Sequence, residues 1–211
     1  GDRKYEALSS TAKKEKGKKH ALARFYRKQE KYTKARSRLA RSPGDASVMG
    51  DADAWWTERK IVALHSVGPH HADSWNAAYQ IAHNHGLTIG DNAIEGEFVS
   101  GWVALRYLKK PDVAMKHFAK LQEMAPTRTE KARAAYWLGR THQVQGDKAS
   151  AKSAFQDAAQ YSTVYYGQLA REQIGLGNQA EEINGGAASA EAQARVAQDE
   201  VVRAFKIMAQ A

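Results

Sequence analysis

Thr129 to Ala170 reads TEKARAAYWLGRTHQVQGDKASAKSAFQDAAQYSTVYYGQLA, and the offsets within it decide the fold. Leu138-Gly139 closes the face of one helix, Gly146-Asp147 makes a turn, and Ala151-x3-Phe155 lies on a return helix. A third helix begins near Tyr165. Two antiparallel helices and the start of another form a unit that cannot bury its apolar face alone. Such a unit is built to be stacked on copies of itself.

Copies are visible on the N-terminal side. Ala35-x3-Leu39, Ala77-x3-Ile81, Ala114-x3-Phe118 and Ala151-x3-Phe155 each set a small residue one turn before a large one. The three later alanines are 37 and 37 residues apart, and the first gap is 42. A small residue lets a paired helix approach closely, and the large side chain fills the next hole. This spacing predicts an all-α chain arranged as an α-α superhelix, a solenoid of tetratricopeptide-like helix pairs. The 132–165 window departs from the tetratricopeptide pattern where Ala135, His142 and Thr163 replace its Trp, Tyr and Pro.

Composition agrees with helices. The 211 residues are 43% apolar, hold only four prolines, and contain no alternating run long enough for a strand. The absence of cysteine excludes disulfides and thiolate metal sites, and no apolar run is long enough to span a membrane. The net charge of +9 is concentrated at one end: residues 1–41 hold fifteen Lys and Arg against four acids. A block of this kind attracts nucleic acid, anionic lipid or an acidic polymer. No recognition helix or stacking platform accompanies it, so nucleic acid is not among the expected partners.

Four divisions follow from the pattern. Residues 1–20 form a basic segment expected to fray, and 21–175 form the helical repeats. A flexible linker covers 176–188, and 189–211 form a helix expected to continue into a further C-terminal region. Within the repeats, Ala21, Phe25 and Tyr26 mark one face, followed by Tyr32, Ala35 and Leu39. Ala54, Ile61 and Leu64 form the next stripe, widened by Trp55 and Val62. Asp73 is expected to cap a helix running to His85, with Gly86 after it. Asn92-x-x-Glu95 and Thr127-x-x-Glu130 have capping-box spacing, and Pro111 suits a first helical turn.

Four segments together resemble one family. They are Asp53-Ala54-Trp55-Trp56-Thr57-Glu58-Arg59, Glu97-Phe98-x2-Gly101-Trp102-x-Ala104-Leu105-Arg106, Ala132-x2-Ala135-Tyr136-Trp137-x-Gly139-Arg140 and Tyr165-Tyr166-Gly167-Gln168-Leu169-Ala170. In that order they are similar to the N-terminal helical region of the soluble lytic murein transglycosylases, alphaproteobacterial type. The resemblance covers roughly residues 50–175. It implies a periplasmic protein whose superhelix supports a lysozyme-like domain, with peptidoglycan glycan strands, that catalytic domain and other cell-wall proteins as partners. The family's catalytic glutamate stands in a Glu-Ser context, and this chain has no Glu-Ser dipeptide. The implied role is therefore a non-catalytic scaffold that guides glycan strands. The alternative is a free-standing tetratricopeptide-like adaptor that binds a protein or peptide.

No catalytic, cofactor-binding or metal-ligating residue is assigned. Glu95 and Glu97, two apart, fall on different helix faces, and Glu181-Glu182 lies in the linker. His65, His70, His71, His83 and His85 sit near helix ends, where they favour the C-terminal dipole rather than a zinc ion. Of each pair Trp55-Trp56 and Tyr165-Tyr166, one ring is expected in the core and one near the surface. Trp56, Arg59, Tyr166 and Gln168 are the candidates for glycan or partner contact.

Overall fold

The computed structural model describes residues 10–68 and 71–177, with side chains from Gly17 onward. Every regular element among them is helical: α1 (Ser10–Lys28), α2 (Tyr32–Ala40), α3 (Ala46–Met49), α4 (Ala52–His65), α5 (Trp75–His83), α6 (Asp91–Arg106), α7 (Pro111–Met124), α8 (Arg128–Gln145), α9 (Lys148–Ala159) and α10 (Tyr165–Gln173). The expected linker beyond Gly177, the helix over 189–211, residues 1–9 and His70 lie outside the described residues.

Chain punctuation sets the boundaries. Asp51 caps α4 by accepting from the Ala54 amide at 2.9 Å, and Asp147 caps α9 by accepting from Ser150 at 3.0 Å. Thr127 caps α8, accepting from the Glu130 amide, as its box spacing indicates. Gly146 ends α8 in the left-handed region at φ 80°, and Pro111 opens α7. Asn92 does not cap α6. Gly90 at φ 83° precedes that helix, and the Asn92 amide instead donates to Asp53 on α4 at 2.8 Å. Asp73 falls in a short 3-10 turn, Ala72–Ser74, that leads into α5.

The helices pack in chain order, α1 on α2, α4 on α5, α6 on α7 and α8 on α9. Each return helix also meets the next outgoing one. Two apolar clusters result. One runs from Ala23 through Leu39, Trp55, Trp56, Val62 and Ile81 to Val99 and Val103. The other runs from Ile94 through Phe118, Leu121 and Trp137 to Phe155 and Ala170. Tyr79, Phe98 and Trp102 pack against both, so α5 and α6 form the wall that the clusters share.

The small-large pairing has a concrete form. A methyl group at Gly101 on α6 would sit 2.7 Å from the Phe118 ring of α7, and one at Gly139 on α8 would sit 2.7 Å from the Phe155 ring of α9. Both contacts are too close for a real Cβ, so each phenylalanine occupies a socket that only glycine leaves open. The sockets recur 38 residues apart and their phenylalanines 37 apart.

Several expectations shift in register. Helix α1 starts at Ser10, inside the segment expected to fray. Among its described side chains the buried one is Ala23, while Phe25 is 53% exposed. In α4 the buried stripe is Trp55, Trp56, Glu58, Arg59, Val62 and Ala63, and Leu64 is exposed. Both members of Trp55-Trp56 are buried, because α4 has α1, α2, α5 and α6 around it. In α5 the alanine that packs inward is Ala78 rather than Ala77.

Candidate functional site

The densest arrangement of polar side chains surrounds Glu97, in the middle of α6. It borders an open cleft of about 640 Å³ between the 44–47 loop and the 83–88 segment, which Lys120 also lines. Gly86 holds these two loops together at φ 70°. A Cβ there would come within 2.6 Å of the Gly44 carbonyl oxygen and the Met49 methyl.

His85 follows α5 and folds onto α6 directly over Gly96, where a Cβ would lie 2.7 Å from its ring. Its Nδ1 accepts from the Leu87 amide at 3.0 Å. That bond leaves the proton on Nε2, which faces Glu97 Oε1 at 3.3 Å. From α7, His117 Nδ1 meets Glu97 Oε2 at 2.6 Å, and Lys120, three residues on, places Nζ 2.5 Å from Oε1. The second His117 nitrogen is 3.1 Å from the Tyr79 hydroxyl. His83 stacks on Tyr79 and meets His117 edge-on.

Electrostatics fixes the protonation of this group. Burial alone would raise the Glu97 pKa. Hydrogen bonds from His117, His85 and Lys120, with the charge of His117, overcome that and hold the carboxyl far below its usual range. Burial and the Glu97 charge push Tyr79 up, so it stays a neutral phenol. Burial, then the nearby His117, keep His83 below an ordinary histidine. A carboxylate held ionised at neutral pH, with three donors on its two oxygens, has no proton to give there and little basicity to offer. Glycosidic bond cleavage needs a carboxylic acid poised near neutral pH. Glu97 is thus suited to binding α6 to α5 and α7, not to acid catalysis.

Two further buried charges act similarly. Arg59 on α4 is fully buried. It donates to the Ile81 carbonyl at 3.1 Å, to Ser42 Oγ at 2.7 Å and to the Pro43 carbonyl at 2.6 Å. Burial lowers its pKa to about 10, so it remains a cation at neutral pH. Glu58, one residue earlier, receives a two-point contact from Arg27 of α1 at 2.5 and 2.9 Å.

These positions bear directly on the four contact candidates. Arg59 is wholly enclosed as a clamp across three segments. Trp56, 1% exposed, donates to Glu95 at 3.2 Å and has no open ring face for a sugar. Gln168 is exposed on α10, and Tyr166 is half-buried against Tyr136. Tyr165, 66% exposed, is the open ring of its pair. The four candidates therefore do not form one surface. His65 stacks on Tyr32, with ring centres 3.4 Å apart, and His71 lies 5.8 Å from His65. Among the described residues no group of three or more His, Cys, Asp or Glu is arranged to hold a metal ion.

The Glu97 cluster was within reach of sequence reasoning. Glu97 and Ser100 interrupt an otherwise apolar face of α6, and His117 and Lys120 share a face of the next helix. Distance along the chain concealed the match. Set against protein-family models, curated proteins and solved structures, the chain matches none.

Proposed function

We propose that this chain is a non-catalytic α-superhelical scaffold of a periplasmic peptidoglycan lytic transglycosylase, supporting a lysozyme-like domain and guiding glycan strands. The observation that carries the reading is the ordered set of four motifs, from Asp53 to Ala170, that resembles the helical region of that family. Three features lend it support. The helices pack as successive pairs, the Gly101–Phe118 and Gly139–Phe155 sockets recur at one period, and the buried charges Glu58, Arg59 and Glu97 are all spent on holding helices together. Stacked pairs related by a constant step wind into a solenoid, which offers a long surface to an extended polymer.

Co-sedimentation of the full chain with purified sacculi tests the reading. The assay belongs at high ionic strength, where attraction between exposed charges is screened. Retention in the sacculus pellet is the expected result. A chain that stays in the supernatant, together with a gene encoding no Glu-Ser lysozyme-like domain, would overturn it. The same chain would then be better described as a protein-binding adaptor.

A further inference from the structure

Between α1 and α2 lies a second cleft, of about 500 Å³, lined by Lys19, Tyr26, Thr33, Lys34, Ser37, Arg38 and Arg41. Lys34, Arg38 and Arg41 follow the i, i+4, i+7 spacing, so they form one stripe along α2 and into the residue that caps it. Thr33 and Ser37, again four apart, set hydroxyls beside the stripe. Lys19 and Tyr26 of α1 supply the opposite wall.

These cations differ from those that tie the helices together. Arg24 and Arg27 meet Glu58, Lys60 meets Glu95, and Lys120 meets Glu97. Among the described residues no carboxylate lies within 4 Å of Lys19, Lys34, Arg38 or Arg41, and no acid lines the cleft. Like charges one turn apart repel, so such a stripe without acids opposes its own helix. A ligand that supplies the missing negative charge removes that cost.

We propose that this cleft is a binding site for a chain of phosphates. Seven residues of helix span about 10 Å, longer than a single phosphate and matched to successive phosphates along a strand. The guanidinium groups of Arg38 and Arg41 suit bidentate contact with phosphate oxygens, Lys19 and Lys34 act as point charges, and the hydroxyls donate singly. The chemistry is shared by free oligophosphate and by a phosphodiester backbone. The site stands apart from the scaffold reading and does not depend on it.

Calorimetric titration of the full chain with inorganic tripolyphosphate, and separately with a short single-stranded oligonucleotide, tests the proposal. Binding of either at one site is expected. Saturation by tripolyphosphate alone identifies free oligophosphate as the source, and tighter oligonucleotide binding identifies a phosphodiester. For the oligonucleotide, log affinity should fall against log salt with a slope of about −2, given three phosphates neutralised. The triple variant K34Q/R38Q/R41Q preserves helix propensity and should lose affinity at least about tenfold. K148Q/K152Q, on the distant α9, should leave it unchanged, and circular dichroism of both variants reports folding. Equal loss in the two variants, unaltered binding in the triple variant, or binding to anionic vesicles with neither phosphate ligand bound would each overturn the proposal.

Discussion

The two apolar clusters share a plan of paired helices but are secured by different means. Around α1 to α6 the interior contains charge: Glu58, Arg59 and Glu97 are all under 5% exposed, with His85, Ser42 and Ser66 beside them. Around α6 to α10 the interior is alanine, leucine, isoleucine and aromatic rings packed against glycine, with Thr141 and His117 as buried polar residues. The first half is therefore specified by hydrogen-bond direction, the second by shape. Directional contacts are costly to leave unmade, whereas shape-matched contacts are sensitive to one added carbon.

Removing the central carboxylate should break the comparison most severely. Glu97→Ala leaves Lys120, His117 and His85 without their acceptor. It should cost about 3 to 5 kcal/mol in urea unfolding, the usual result of deleting one partner of a buried pair. A loss near that of a surface substitution would show that the polar half does not depend on its charges. Arg59→Ala ranks next at about 2 to 4 kcal/mol, since it empties a buried volume and strands two carbonyl groups. Arg59→Lys should recover little of this, because one ammonium cannot span the Ile81, Ser42 and Pro43 acceptors.

In the apolar half, Gly139→Ala should cost about 1 to 2 kcal/mol, overpacking against Phe155 outweighing the helix propensity gained. Combining it with Phe155→Leu should cost less than the sum of the two single changes, a coupling that chemical unfolding of the double-mutant cycle would read. Simple additivity would mean that the socket is not a fitted pair.

Acid is the mildest probe and separates the halves by the shape of the response. His83 has a folded pKa below its unfolded one. Its contribution is present above the ordinary histidine range and declines as pH falls through the folded value. Glu97 has the same sign further down, its contribution present above 4.5 and lost on stronger acidification. Melting temperature should therefore fall with pH in two stages. His83→Gln should flatten the first and Glu97→Gln the second, while Gly139→Ala should shift the whole curve without changing its shape.

How much of this was legible in the sequence follows the same division. The shape-specified half declares itself locally. Leu138-Gly139, Gly146-Asp147 and Ala151-x3-Phe155 lie within 18 residues, and each has the place its spacing implies. The polar half does not. Arg59 finds acceptors 16 to 22 residues away, and Glu97 finds donors 12 to 23 residues away on both sides. Nothing in the local pattern of DAWWTERK separates a buried arginine from a solvated one. For that reason the spacing puts the α4 stripe on Ala54, Ile61 and Leu64 and makes contact candidates of Trp56 and Arg59, both of which the fold buries. The recurring glycine sockets were also hidden, because the repeat is easiest to see in the large residues and its meaning lies in the small ones facing them.

Tyr79, Phe98 and Trp102 belong to both clusters at once. Neither cluster can open without taking away a wall of the other, so the interior should melt as one thermodynamic event despite its two chemistries. A single calorimetric peak whose van't Hoff and calorimetric enthalpies agree is its signature. Substitution of Phe98 by a small residue is the change that should split that peak in two.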